Sequence, residues 1–282
     1  MPKKSFLLLG LLAAIPALSH AQGYVQGSIN YSTSSTSYGL TTGPGTTTVS
    51  APNPTGADYA TSTTVINPFG VIGGSASAYP TTGLASAYAS EQTAGTINLF
   101  NSNANASGQI SLNFDLHGMF NQIGYIGFGD SSINVSISVV QGTSILYNGY
   151  LSMASPATNT AAYLYGFTAH DLSPFVQQQG TNYLVDAPLT TTSFSPLNAT
   201  DPLVVSYSFS QIVNTTPATG PIGVDFNDTF SLAQQGNVVN LPAGWDASSS
   251  SFNILHDQVV PEPATYVVIA VGLSGILLRR RK

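Results

Sequence analysis

No lysine, arginine or cysteine occurs between Gln22 and Val260. All six basic residues of the 282-residue chain lie at its ends: Lys3 and Lys4 near the start, Arg279, Arg280, Arg281 and Lys282 at the finish. The long central segment thus has no disulfide and no Lys or Arg ion pair, so its fold must rest on burying its own apolar surface. Roughly 240 residues are enough for one large β-domain or two small ones. Of the twelve acids one is Glu262, which leaves eleven in this segment with no Lys or Arg to balance them. Nucleic-acid binding is excluded, because affinity for the phosphate backbone comes from Lys and Arg. Lysine Schiff-base chemistry, Ser-Lys catalysis, arginine clamps on phosphate and Lys-Asn crosslinks are excluded on the same ground.

The apolar residues that build the core recur with a period of two. Ile110, Leu112, Phe114 and Leu116 alternate with Ser111, Asn113, Asp115 and His117, and Ile133, Val135, Ile137 and Val139 alternate with Asn134, Ser136 and Ser138. Val205, Tyr207 and Phe209 alternate with serines, and Ile222, Val224, Phe226, Phe230 and Leu232 keep one parity. Such runs predict half-buried strands. Shorter candidates cover 96–100, 123–128, 144–151, 237–241 and 252–255, with turn residues such as Gly180 and Pro242 to Gly244 between strands. These patterns predict an all-β exported domain over 22–258, an antiparallel sandwich of jelly-roll-like form. A parallel β-helix is the alternative, and the absence of a fixed repeat counts against it. From Gln22 to about Ala94 the chain is rich in Gly, Ser, Thr, Ala and Pro. That part reads as loop-rich, a few edge strands joined by long mobile loops.

The two ends read as export signals. Lys3 and Lys4, an apolar stretch from Phe6 to Leu18 and a small residue at Ala21 form a signal peptide over 1–21, with cleavage expected after Ala21 by signal peptidase. At the other end Pro261, Glu262 and Pro263 precede an uncharged run, 264–278, and the basic tail Arg279, Arg280, Arg281 and Lys282. The run would make about 22 Å of helix, short of a ~30 Å hydrocarbon core, yet able to span if the arginines snorkel and the bilayer thins. The tail would hold that end in the cytoplasm and leave everything before Pro261 outside. The prolines would keep the motif extended and accessible to a protease.

Residues 259–282, with V-P-E-P-A-T-Y, an apolar run and R-R-R-K in order, resemble the PEP-CTERM sorting signal of Gram-negative bacteria. The resemblance implies that an exosortase-type membrane protease recognises Pro261-Glu262-Pro263. It implies an inner-membrane intermediate on the way to the cell surface or the exopolysaccharide matrix. A plain single-pass anchor fits the hydropathy and flanking charge equally well.

Chemical constellations are sparse in the central segment. His117, His170 and His256 are far apart and show no metal-ligand spacing, so each reads as a surface histidine. Asp225, Asn227 and Asp228 offer hard oxygen donors for calcium where the alternation of their strand lapses, and a polar bulge explains the same residues. Trp245, in a turn beside Asp246, can stack on a sugar or close the end of a core. Two functions follow from this: a structural or adhesive surface protein without catalytic activity, or a carbohydrate-binding or weakly carbohydrate-active domain using Trp245, tyrosines and an acid pair.

Overall fold

The computed structural model describes residues 22–31, 34–42, 45–52, 59–66, 70–80, 85–101, 108–122, 130–155, 161–198, 200–216, 220–233 and 236–260; for 22–59, 122, 130, 155, 161–162 and 227–229 it describes the backbone alone. The expected signal peptide and the sorting motif with its apolar run and tail lie outside these residues. Among the described residues no helix is long and apolar enough to cross a membrane; the expected transmembrane helix over 264–278 lies outside them.

The described chain is all-β apart from single helical turns such as Ser173–Phe175. In chain order the strands are β1 (Gln22–Tyr31), β2 (Ser34–Thr42), β3 (Gly45–Pro52), β4 (Tyr59–Ile66), β5 (Ile72–Tyr79), β6 (Ala85–Asn101), β7 (Ser111–Gln122), β8 (Asp130–Gln141) and β9 (Ser144–Ser155). They continue with β10 (Ala161–Tyr165), β11 (Val176–Gln179), β12 (Asn182–Thr190), β13 (Leu203–Thr215), β14 (Ile222–Leu232), β15 (Val239–Asn240), β16 (Trp245–Ser249), β17 (Ile254–Leu255) and β18 (Gln258–Val259). One sheet runs β10-β9-β8-β13-β6 and continues along β6 into β16-β17-β18, with β1 and β2 beside the first half of β6. The other runs β11-β12-β7-β14-β5-β4-β3. Every pairing in both sheets is antiparallel, which separates the fold from a parallel β-helix. The chain crosses between sheets at β2 to β3, β5 to β6, β6 to β7, β7 to β8, β10 to β11, β12 to β13, β13 to β14 and β15 to β16.

The four strong alternations each become a central strand. Their apolar parity faces inward: Leu112, Phe114 and Leu116 from β7, Ile133, Val135 and Val139 from β8, Val205, Tyr207 and Phe209 from β13, Val224, Phe226 and Phe230 from β14 are all buried. Rings from the two sheets meet at the centre. Tyr207 sits edge-on to Phe114 at 5.6 Å and to Phe230 at 5.5 Å, and Phe209 lies 5.7 Å from Phe226. Within the second sheet Phe114 stacks on Phe230 at 5.1 Å, so four rings form one continuous contact around Phe230. The Tyr207 hydroxyl, fully buried, donates to the Gly70 carbonyl, which satisfies the one polar atom in this aromatic layer. Gly70 has φ +83, and a side chain there would collide with that hydroxyl and with Phe252.

The loop-rich expectation for 22–94 is corrected by the structure. Six strands cover most of that stretch and its continuation to Asn101, and β5 is an interior strand between β14 and β4. The alternation is present but written in small residues. Ala76 and Ala78 of β5 and Ala85, Ala87 and Ala89 of β6 are buried, with Ser77, Ser86 and Tyr88 between them. Alanine gives little hydropathic contrast with serine, so the period of two does not stand out. β12 escaped notice for another reason: Pro188 interrupts its pattern of buried Val185, Ala187 and Leu189. β11 pairs only with 182–185, so Pro188 lies beyond its reach, where no neighbour on that side needs its missing N–H.

Because Phe230 touches rings from both sheets, Phe230→Ala should destabilise the domain by about 3–5 kcal/mol. Urea unfolding of the variant against wild type measures this, and a loss below about 1 kcal/mol would contradict the central place of that ring.

Candidate functional site

The outward parity of the first sheet is as uniform as the inward one. Antiparallel register places Tyr165 (β10), Tyr150 (β9), Ser136 (β8), Ser208 (β13) and Gln92 (β6) in one row across five strands. The adjoining rows are Asn148, Ser138, Ser206 and Ala94 on one side, and Tyr163, Ser152, Asn134, Ser210 and Ser90 on the other. The small serines leave a trough of about 420 Å³ lined chiefly by Gln92, Ser136, Ser138, Asn148, Ser206 and Ser208. The Ser136 and Ser208 hydroxyls lie 2.6 Å apart across the strand boundary, and the Tyr150 hydroxyl donates to Asn134 Oδ1 at 2.8 Å. At the β10 edge Tyr150 and Tyr163 stand with ring centroids 6.2 Å apart, and Tyr163 and Tyr165 are each about three-fifths exposed.

The lining carries no charge, only hydroxyl and carboxamide groups that both donate and accept, with aromatic faces at one rim. Such a surface can hydrogen-bond polyols and stack on the apolar face of a sugar ring. The signal was present in the serine alternation of β8 and β13, but those serines read as the solvent side of a strand. Their adjacency depends on β8, β13 and β6 being neighbours, which no local pattern reveals.

The residues singled out from sequence lie elsewhere. Trp245 opens β16 opposite Asn101, nine residues along β6 from Gln92, so at ~3.3 Å per residue it is about 30 Å from the trough row. Its ring is half-buried against the core, with the indole nitrogen buried and without a hydrogen-bond partner. Asp225 is exposed on β14, and the strand shifts register between Phe226 and Phe230, where Asn227 and Asp228 lie; their side chains fall outside the described residues. Among the described residues no group of three or more His, Cys, Asp or Glu could hold a metal ion. His117 pairs with Asp186 across β7 and β12 at 2.7 Å, and His256 with Asp246 at 2.7 Å, both on the surface. His170 is exposed.

The sorting motif, Pro261, Glu262 and Pro263, the tail residues Arg279, Arg280, Arg281 and Lys282, and Ala21 lie outside the described residues. The approach to the motif is well defined. β17 and β18 form a hairpin whose two turn residues, His256 (φ 50) and Asp257 (φ 64), adopt the left-handed conformation of a tight turn. Burial pushes the Asp257 carboxyl above its usual range, and Asp257 Oδ1 accepts the Ala247 N–H at 2.7 Å. Val260 N–H donates to the Asn253 carbonyl at 2.8 Å, and the Asn253 side chain donates to the Val260 carbonyl. The folded domain therefore runs to the residue before Pro261.

Comparison with curated proteins and with solved structures finds no match. Comparison with protein families matches residues 259–282 to the PEP-CTERM protein-sorting motif, a stretch that begins in β18. That motif implies export, a membrane-anchored sorting intermediate and processing by an exosortase-type protease. The chain carries a PEP-CTERM protein-sorting motif at its C-terminus, joined without a linker to an antiparallel β-domain.

Proposed function

We propose that the chain is a structural or adhesive protein of the surface or extracellular matrix of a Gram-negative bacterium, without catalytic activity. Its jelly-roll-like sandwich is the delivered part, and 259–282 is the address. The observation that carries this reading is the join: Val259 closes β18 and Val260 is bonded to Asn253, so the motif begins where the fold ends. A protease acting at Pro261-Glu262-Pro263 would release the sandwich with its edge strand intact. Glu262→Ala should then leave the protein in the membrane fraction with its basic tail, while removal of the N-terminal signal proceeds as before. Identical fractionation and intact mass for variant and wild type, in a host with the processing enzyme, would leave only a plain anchor.

A second reading is carbohydrate binding, favoured by the uncharged trough and its tyrosine rim rather than by Trp245. With eleven acids and no Lys or Arg the exported segment carries charge essentially of one sign, to which a neutral glycan offers no partner, so contact with such a polymer would rest on hydrogen bonds and ring stacking. Replacing Tyr163 and Tyr165 together by Ala removes two exposed rings without opening the core. Retention of the exported protein on insoluble neutral polysaccharide should fall at least tenfold, with Trp245→Phe unaffected. Equal retention of the tyrosine variant and wild type would place adhesion elsewhere.

A further inference from the structure

One carboxyl group stands apart from the surface acids. Glu91 occupies the inward parity of β6, is fully buried, and lies across from Phe209 of β13 and Val25 of β1. Gln211, also fully buried on the inner face of β13, is paired with Ala89, so Glu91 and Gln211 are diagonal neighbours on one sheet. Opposite them β5 presents Gly74. A Cβ built there would stand 2.5 Å from Glu91 Oε1, 3.3 Å from Gln211 Nε2 and 2.2 Å from the Thr63 carbonyl oxygen. The carboxyl and carboxamide thus converge on the space that any side chain at position 74 would occupy.

Neither Glu91 oxygen has a hydrogen-bond partner, and neither does the Gln211 oxygen or nitrogen. Gln141, the other buried glutamine, shows the usual condition: it accepts from Leu197 N–H at 2.6 Å and donates to the Asn198 and Asp201 carbonyls at 2.8 and 2.7 Å. No charged group answers Glu91. Buried on the strands that face or flank it are Ser62 and Thr64 of β4, Ile72 and Ala76 of β5, Thr93 of β6, Tyr207, Phe209 and Gln211 of β13, and Phe226 of β14; Tyr207 is the one ionisable group among these, and its hydroxyl donates to the Gly70 carbonyl. β1 carries no acid, lysine, arginine or histidine in its sequence, and His117, His170 and His256 lie outside the core.

An isolated carboxylate in such a place is prohibitively costly, and with no Lys or Arg in the exported segment the domain cannot supply a cation. A carboxylic acid facing a carboxamide, by contrast, can satisfy all four atoms with two hydrogen bonds. The acid O–H donates to the amide oxygen and the amide N–H donates to the acid carbonyl oxygen. We propose that Glu91 is held in the folded domain as the neutral acid paired with Gln211, a proton-dependent lock in the core that makes the sandwich firmest in acid and looser in alkali.

Burial also drives the Glu91 carboxyl well above the ordinary carboxylate range. The sign follows from linkage. For a raised folded-state pKa the contribution is fully present below the unfolded value, about 4.3, and is lost as pH rises through the folded value. The Tm of the exported protein, measured from acid to alkaline pH at constant ionic strength, should therefore fall relative to that of Glu91→Gln as pH rises. The amide variant should keep at alkaline pH most of the stability it has in acid. Asp257 and the surface acids titrate in both proteins and cancel in the difference. A difference in Tm that is independent of pH would overturn the proposal. Infrared spectroscopy of the wild-type protein alone gives a second reading even if the variant does not fold. A protonated-carboxyl C=O stretch should persist at neutral pH, and complete ionisation of all carboxyls there would equally overturn the proposal.

Discussion

The contacts between aromatic rings of the two sheets hold this domain together, because the segment from Gln22 to Val260 has no cysteine for a disulfide and no Lys or Arg for an ion pair. Tyr207 and Phe209 from one sheet press on Phe114, Phe226 and Phe230 from the other. Each such side chain contributes on the order of 1.5–3 kcal/mol by burial, and ring pairs about 0.5–1.5 kcal/mol beyond that. The His–Asp contacts among the described residues, His117 with Asp186 and His256 with Asp246, are on the surface and contribute little. The strands that carry the rings, β13, β7 and β14, are accordingly interior in their sheets.

That centre was legible in the sequence because it is written in large residues. Ile133 to Val139, Val205 to Phe209 and Ile222 to Leu232 contrast sharply with the serines and asparagines between them, and each became a strand with the expected parity inward. The periphery was not legible in the same way. Ala85, Ala87 and Ala89 obey the same period of two, but a methyl group set against Ser86, Tyr88 and Ser90 gives no hydropathic signal. The trough was hidden for a topological reason: Ser136 and Ser208 are 72 positions apart and touch only because β8 and β13 are neighbours. Glu91 was hidden by its type, since an acid among Ser, Ala and Gln reads as surface, and only the packing of β5 over β6 shows that it is enclosed.

The same lack of cations connects the fold to its setting. A surface of Ser, Thr, Asn and Gln is well hydrated, and its charges are acids that no Lys or Arg balances, so it offers an anionic polymer no attraction and would meet a neutral one through short-range hydrogen bonding. The C-terminal strand shows how delivery and structure are joined. β18 is both the end of the sandwich and the start of the matched sorting motif, so the segment before Pro261 serves two purposes at once. Its two-residue hairpin with β17, and the Val260 to Asn253 hydrogen bond, fix the direction in which the chain leaves the domain.

Native-state hydrogen exchange on the exported protein tests most directly whether the inter-sheet aromatic layer is the element on which stability depends. Amides of β7, β13 and β14 should exchange only through global unfolding, with the highest protection in the molecule, while those of the edge strands β10 and β11 exchange through local opening at much lower free energy. Equal protection of the edge and central strands, or faster exchange in β13 than in β10, would show that the domain is held by something other than its central rings.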